Sequence, residues 1–484
     1  MRLPTFMSMP TRFSQPGLWL ASLVLMVWVS GCATYSDSMR DAHQALGASR
    51  AEQAEQILNQ SLKTPDSTQL PESLDGDNIL LLLERATVLQ SLGKFELAAR
   101  DIMVVDDHMV FISLANDDSI DLATYLYSDD AKDYVPPAYE RLLLNTLNMI
   151  NYMSVGDLQG AKVEARRFNL MEQFFMNNEE ATLLSGIVGL GNYLGGVTFE
   201  HARDYSEAAR FYSRAWHFGV RDPGFRERLT DLLYLTGYKP HDIAEQTGEP
   251  ALPEIMMDAS THGEMTFEQY RQKHLTGDTL LVVQTGLAPW RVAERVPIAQ
   301  AMSYSNQSRR GLSGDNQAEL ATMVATGTIA SVNFPMLTTR GLPPVRNVRI
   351  SVDGQPREVD ANIDVAAQVT VGYAYLLPSL MTAAITRLIT RVAAGVVTQQ
   401  AVKAGGGGGG WAALAGLAMQ TGMNAADTPD TRSWMSLPGQ IRLLRVALPA
   451  GEHAVEVGID SHIDARSLTV EQDSLNIMNF SRVR

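Results

Sequence analysis

Cysteine is almost missing from this chain: Cys32 is the only one in 484 residues. A disulfide framework and a thiolate metal site are thereby excluded, and the core must hold by packing alone. Positive charge is also in short supply, with 39 lysines and arginines against 54 acidic residues and a net charge of −15. That balance argues against nucleic acid as a partner and against a polybasic grip on anionic lipid. Catalytic signatures are lacking too. There is no His-Glu-x-x-His for a metal and no Gly-x-Ser-x-Gly elbow for a serine nucleophile. The six glycines at 405–410 have no leading strand and no following Gly-Lys-Ser/Thr, so they read as a floppy connector and not as a phosphate loop. The best histidine–acid cluster is Glu452, His453, Asp460, His462 and Asp464. On a strand the last three share a face, but a spacing of two is what any solvated strand shows. No enzyme activity, cofactor, metal or catalytic residue is expected.

What is present starts at the N-terminus. Arg2 and Arg12, with no acidic residue near them, precede residues 18–29, which are apolar apart from Ser22. This is a charged segment followed by an apolar run shorter than the ~20 residues of a transmembrane helix. Residues 1–31 are therefore expected to be a cleaved export signal. Val29-Ser30-Gly31-Cys32 resembles the bacterial lipobox, in which the cysteine sulfur receives a diacylglyceryl group; the thiolate is the nucleophile that this alkylation needs. Cys32 is the expected lipidation site. Each buried acyl methylene contributes about 0.8 kcal/mol, so several chains would hold the protein on its membrane essentially permanently. Ala33 in place of Asp points, by resemblance to lipoprotein sorting, to the outer membrane, with the body of the chain facing the periplasm.

The 453 residues after position 31 exceed what one core normally covers, so several domains are expected. Without Arg2 and Arg12, 37 basic residues face 54 acidic ones, a balance of −17. Four stretches echo one another: SRAEQAEQILNQSL from Ser49, GKFELAARDI from Gly93, GDLQGAKVEARRF from Gly156 and RDYSEAARFYSRAW from Arg203. Each sets a turn residue or a charge before a helix and carries an alanine at a fixed offset: Ala54, Ala98, Ala161 and Ala208. Small residues so placed let antiparallel helices approach closely, as in tetratricopeptide-like repeats. Residues 32–240 are read as such an α-solenoid, which would grip a protein partner in a groove. The Arg and aromatic residues of EARRF (164–168) and FYSRAW (211–216) are interface types, although on a helix they more often pack between repeats.

Residues 241–277, with Pro250 and Pro253, read as a linker with a short helix over 267–274. Beyond it, DTLLVVQTGLAPWR (278–291), RVAERVPI (291–298), NVRISVDGQPREV (347–359) and IRLLRVALPAGEHAVEVGI (441–459) are rich in β-branched residues and turn signals. The fold class is thus α+β and multidomain: a helical solenoid, then an antiparallel β domain over 278–484 with a helical, glycine-rich hairpin inserted at 373–427. Within that insertion the apolar stripe Leu380, Met381, Ala384, Ile385, Leu388, Ile389, Val392, Val396 and Val397 marks an amphipathic helix after Pro378.

Three segments taken together, PPAYERLLLNTLNMINYMSVGDLQGAKVEARR (136–167), VVQTGLAPWRVAERVPI (282–298) and DTRSWMSLPGQIRLLRVALPAGEHAVEV (430–457), resemble an uncharacterised bacterial lipoprotein family with a tetratricopeptide-like half. The resemblance implies an envelope lipoprotein acting beside other small lipoproteins in cell-wall or surface assembly. Two functions follow as expectations: a membrane-anchored scaffold or assembly factor with a protein partner, or an envelope structural subunit that forms a homo-oligomer through the stripe at 380–397.

Overall fold

The computed structural model describes residues 34–482 apart from 116–133, 135, 177–179, 222, 249–251, 261–264, 309–310, 327–328, 339–344, 346, 360 and 405–428. Cys32, the six glycines and the second helix expected after them lie outside the described residues. Residues 35–390 and 429–484 cluster as one compact unit. A second unit, Met1–Thr34 with Arg391–Thr428, is described only at Thr34 and at the end of one long helix.

The first part of the large unit is helical: α1 Tyr35–Ser38, α2 Arg40–Gly47, α3 Ala51–Ser61, α4 Asn78–Ser91, α5 Phe95–Ala115, α6 Ala138–Ser154, α7 Leu158–Met176, α8 Glu180–Leu183, α9 Ser185–His201, α10 Tyr205–His217 and α11 Pro223–Thr236. Helices next to each other in sequence pack on each other, and α9 also lies against both α6 and α7.

A local device recurs four times. Ser49, Gly93, Gly156 and Arg203 all have positive φ, between 58° and 75°. Each ends a helix with the same pair of main-chain bonds: Lys94 N–H to Leu89 O and Gly93 N–H to Gln90 O, then Asp157 to Tyr152 and Gly156 to Met153, Asp204 to Phe199 and Arg203 to Glu200, Arg50 to Ala45 and Ser49 to Leu46. This 6→1 and 5→2 pattern satisfies carbonyls that a helix end leaves open. The next helix starts two residues later, and five residues after each left-handed residue stands a fully buried alanine, Ala54, Ala98, Ala161 or Ala208. The turn sets the angle between two helices, and the alanine lets them close.

Close approach is carried further by glycine. A Cβ on Gly191 would overlap the Phe168 ring of α7, and one on Gly196 the Tyr212 ring of α10; at Gly195 it would stand 2.7 Å from Phe211. The aromatic residues of EARRF and FYSRAW are thus buried between helices, with Phe168, Phe211 and Tyr212 fully so.

Three short helices, α12 His241–Thr247, α13 Pro253–Ser260 and α14 Phe267–His274, lead to the strands; a Thr266–Gln269 capping box starts α14. The strands are β1 Asp278–Leu287, β2 Trp290–Pro297, β3 Ser331–Thr338, β4 Val348–Val352, β5 Gln355–Arg357, β6 Ala361–Asp364, β7 Pro438–Ala447, β8 Gly451–Ile459, β9 His462–Val470 and β10 Asn476–Arg482. Helices α15 Ile298–Ser305 and α16 Gly314–Ala325 separate β2 from β3, and α17 Val365–Ala404 follows β6. The sheets run β10-β1-β7-β6, β2-β3 and β5-β4-β8-β9.

Two details correct the expected β domain. Strand β10 runs parallel to β1 and not antiparallel. It follows β9, which belongs to another sheet, so no hairpin constrains its direction. The inserted helix begins at Val365, straight after β6, and carries Pro378 inside it. Val365, Val369, Tyr373 and Leu376 are buried before the proline, so packing holds the helix through the missing main-chain bond. Of the stripe, Leu380 through Ile389 is buried within the chain.

Strand β1 is buried on both faces. Leu280 and Val282 join the helical core with Ile441 and Leu443, while Leu281 and Val283 face Ile350, Val352, Val455 and Val457 of the β4/β8 sheet. The order is therefore helices, central sheet, second sheet, and the helices share one core with β1 and β7.

Candidate functional site

Helix α7 turns one face inward and one outward. Ala161, Glu164, Ala165, Phe168, Glu172 and Phe175 are buried. Val163, Leu170 and Phe174 are 45%, 60% and 48% exposed, and their spacing of seven and four puts them on one side of the helix. Arg166 is exposed beside them and Lys162 half-buried. Both acidic residues of α7 point inward, so no exposed carboxylate lies on this helix.

Buried polar groups fix α7 from behind. Asn145 Nδ2 donates to Glu164 Oε2 at 2.8 Å. Arg167 bridges Asp106 (2.9 Å) and Asp107 (2.7 Å) on α5, and Arg141 reaches the other oxygen of Asp106 at 3.2 Å. Arg214 of α10 donates to Glu172 at 2.6 and 3.1 Å. Burial pushes the Glu164 carboxyl up to about 7, against the Asn145 hydrogen bond, and the Asp106 charge adds to the rise.

A second set of buried charges ties the helices to the strands. Glu84 Oε1 accepts the Met435 N–H at 2.6 Å and Oε2 the Ser436 N–H at 2.9 Å. Glu140 accepts the Trp434 N–H at 3.1 Å and the Tyr134 hydroxyl, while the Trp434 indole donates to Thr87 at 2.9 Å. Burial raises both carboxyls, Glu84 to about 7. Farther along, Arg445 of β7 donates to Glu200 at 2.8 Å and to Asp278 at 3.0 Å; Arg228 holds Glu200 at 2.9 Å, and His201 meets Asp278 at 2.7 Å. Burial alone would raise Glu200, but Arg228 and Arg445 pull it down to about 2.

The histidine–acid cluster is dispersed. His453 contacts Asp353 (2.6 Å) and the Pro449 carbonyl (2.8 Å), and Glu452 accepts from Ser467 and Thr469. Asp460 sits in the β8–β9 turn at φ 52° and accepts the Asn347 N–H at 3.2 Å. His462 and Asp464 share the start of β9 and line a cleft. Among the described residues no group of three His, Cys, Asp or Glu side chains is placed to hold a metal. Cys32 lies outside the described residues. The exposed face of α7 and the Glu84–Glu140 clamp were not singled out from sequence. Charged residues inside the apolar run NILLLLERATVLQ were the available sign of the clamp. No family model, curated protein or solved structure matches this chain.

Proposed function

We propose that this chain is a lipid-anchored periplasmic protein of the bacterial envelope that works as a scaffold or assembly factor, holding a protein partner on a tetratricopeptide-like helical array. The lipobox-like Val29–Cys32 sequence supports the anchor, and the four turn-plus-alanine units support the array. The observation that carries the binding role is the face of α7, where three large apolar side chains are exposed beside Arg166 with no exposed carboxylate on the helix. In a chain of net charge −15 this is a basic, apolar island. Its charge complements an acidic amphipathic helix of a partner, seated with its apolar stripe on Leu170 and Phe174.

A photo-crosslinking side chain placed at Leu170 in living cells tests this. The expected adduct joins Leu170 to an acidic amphipathic segment of another protein, and Arg166→Glu or Phe174→Asp abolishes it. An adduct to a second copy of this chain, or none, refutes the assignment. Mass spectrometry of the mature N-terminus tests the anchor separately, with a triacylated or diacylated Cys32 as the expected result.

A further inference from the structure

Strand β9 stands at one end of the β5-β4-β8-β9 sheet, and six of its nine residues are exposed. The Ala454 carbonyl accepts the Asp353 N–H at 2.8 Å, so the even-numbered residues of β8 bond toward β4. Bonding alternates along a strand, which turns Val455 and Val457 toward β9, where they pair with Arg466 and Asp464. The N–H and C=O groups of Ile463, Ala465, Ser467 and Thr469 consequently point outward. Among the described residues no main-chain bond meets them. An open edge of this length is a template for one more strand.

Charge on β9 selects that strand. Asp464 and Arg466 share one face, are joined at 2.6 and 3.1 Å, and flank Ala465 symmetrically. If β9 of a second copy pairs antiparallel about a two-fold axis at Ala465, each Asp464 stands opposite Arg466 of the other copy. Arg466 has N–H groups left for this, since two of its five engage Asp464 and one the Asn479 carbonyl. The same axis sets outward-bonding residues against each other, Ala465 against Ala465 and Ile463 against Ser467, so their N–H groups all find carbonyls. Neighbouring registers fail. An axis at Asp464 opposes two aspartates and one at Arg466 two arginines; one at Ser467 sets Asp464 and Arg466 against the buried Val470 and Leu468. An axis at Ile463 leaves only 462–464 to pair, because the strand starts at His462. We propose that the chain forms a two-fold dimer in which two β9 strands pair about Ala465, joining two four-stranded sheets into one. The contact is separate from the α7 face, and its existence does not depend on the partner assigned there.

Cysteine substitution in the full chain, extracted in detergent and mildly oxidised, reads the register, with the parent chain carrying Cys32 alone as the control. Opposed residues of a hydrogen-bonded pair stand about 5.5 Å apart at Cα, within reach of a disulfide. Ala465→Cys is expected to link to itself. Ile463→Cys and Ser467→Cys are expected to link to each other in a mixture and not to themselves, because four residues of strand, roughly 13 Å, separate like positions. Asp464→Arg and Arg466→Asp should each dimerise at least about tenfold more weakly alone in sedimentation velocity, and should pair with each other when mixed, since only then do opposite signs meet. Ala465→Pro, which removes an outward N–H and leaves the ladder to β8 intact, should weaken the dimer as much and covers the case in which a charge variant fails to fold. Absence of the Ala465→Cys link overturns the proposal, as does self-linking of Ile463→Cys or Ser467→Cys. An adduct of Ala465→Cys to a different polypeptide, or undiminished dimerisation of Ala465→Pro, overturns it as well.

Discussion

Glu140 accepts the main-chain N–H of Trp434 at 3.1 Å, across 294 positions of sequence. With Glu84 on the next two N–H groups, it fastens the segment before β7 to helices α4 and α6. A carboxylate can accept several such bonds, and removing it leaves buried donors without partners. Glu84→Ala is expected to cost about 1–3 kcal/mol for the stranded donors, and Trp434→Ala about 3–5 kcal/mol for the lost ring. Urea unfolding midpoints measure both; changes within about 0.5 kcal/mol, the scatter of neutral surface substitutions, would show that the clamp is dispensable.

The same burial sets a pH dependence. Glu84 and Glu164 are pushed up to about 7 from the ordinary 4.5, so between about 4.5 and about 7 the folded chain holds protons that the unfolded chain has released. Their contribution to stability is fully present below 4.5 and is lost as pH rises toward 7. Glu200, held down to about 2, acts oppositely, and its contribution is lost only as pH falls below 4.5 toward 2. Thermal midpoints should therefore decline as pH rises from 4.5 to about 7, and Glu164→Gln should flatten that decline. An unchanged slope in the variant counts against the assignment.

The repeated turn gives a prediction of opposite signs at equivalent positions. Arg203 has φ 61°, a region that costs an L side chain about 1–2 kcal/mol, so Arg203→Gly should stabilise by up to about 1 kcal/mol once glycine's unfolded-state entropy is counted. Gly156→Val, at φ 75°, should destabilise by about 1–2 kcal/mol. Differential scanning calorimetry of the pair decides it, and equal signs would discredit the equivalence of the two turns.

Gly196 tests the close packing of α9 on α10. Its missing Cβ is where the Tyr212 ring lies, and that ring is held in place because its hydroxyl donates to Glu200 at 2.6 Å. Gly196→Ala must displace the ring and is expected to cost about 1–3 kcal/mol. Exposed Gly219, with nothing within 4 Å of a Cβ but φ 95°, provides the contrast: there the cost is backbone strain and not overlap. Hydrogen exchange on α10 should accelerate for the first variant and not for the second.

The helical half was legible because two of its four turns are glycine and all four carry alanine at one offset, which is a local pattern. Ser49 and Arg203 gave no such sign, since a left-handed conformation at a non-glycine residue is imposed by the helices around it. Strand β1 was readable from TLLVV, a continuous apolar run suited to burial on both faces. The direction of β10 was not, because strand order across two sheets leaves no mark in local sequence. Composition shifts between 241 and 277, where helices give way to strands, yet the core runs on from α6 into β1 and β7. The clamp is hidden for the same reason: Glu84 and the N–H groups that donate to it are 351 and 352 residues apart. The α7 face was hidden by the opposite problem, since exposed and buried apolar residues on one helix look alike until their neighbours are known.

The late arrival of residues 430–447 bears on how such a chain is made. Until that stretch leaves the ribosome, Glu84, Glu140 and Glu200 have no main-chain or guanidinium groups from it to meet, and the apolar side of α4 and α6 has no sheet to lie on. A nascent product that stops before residue 430 is therefore held back from completing its interior, so the molecule commits to its final form only after that segment has been made.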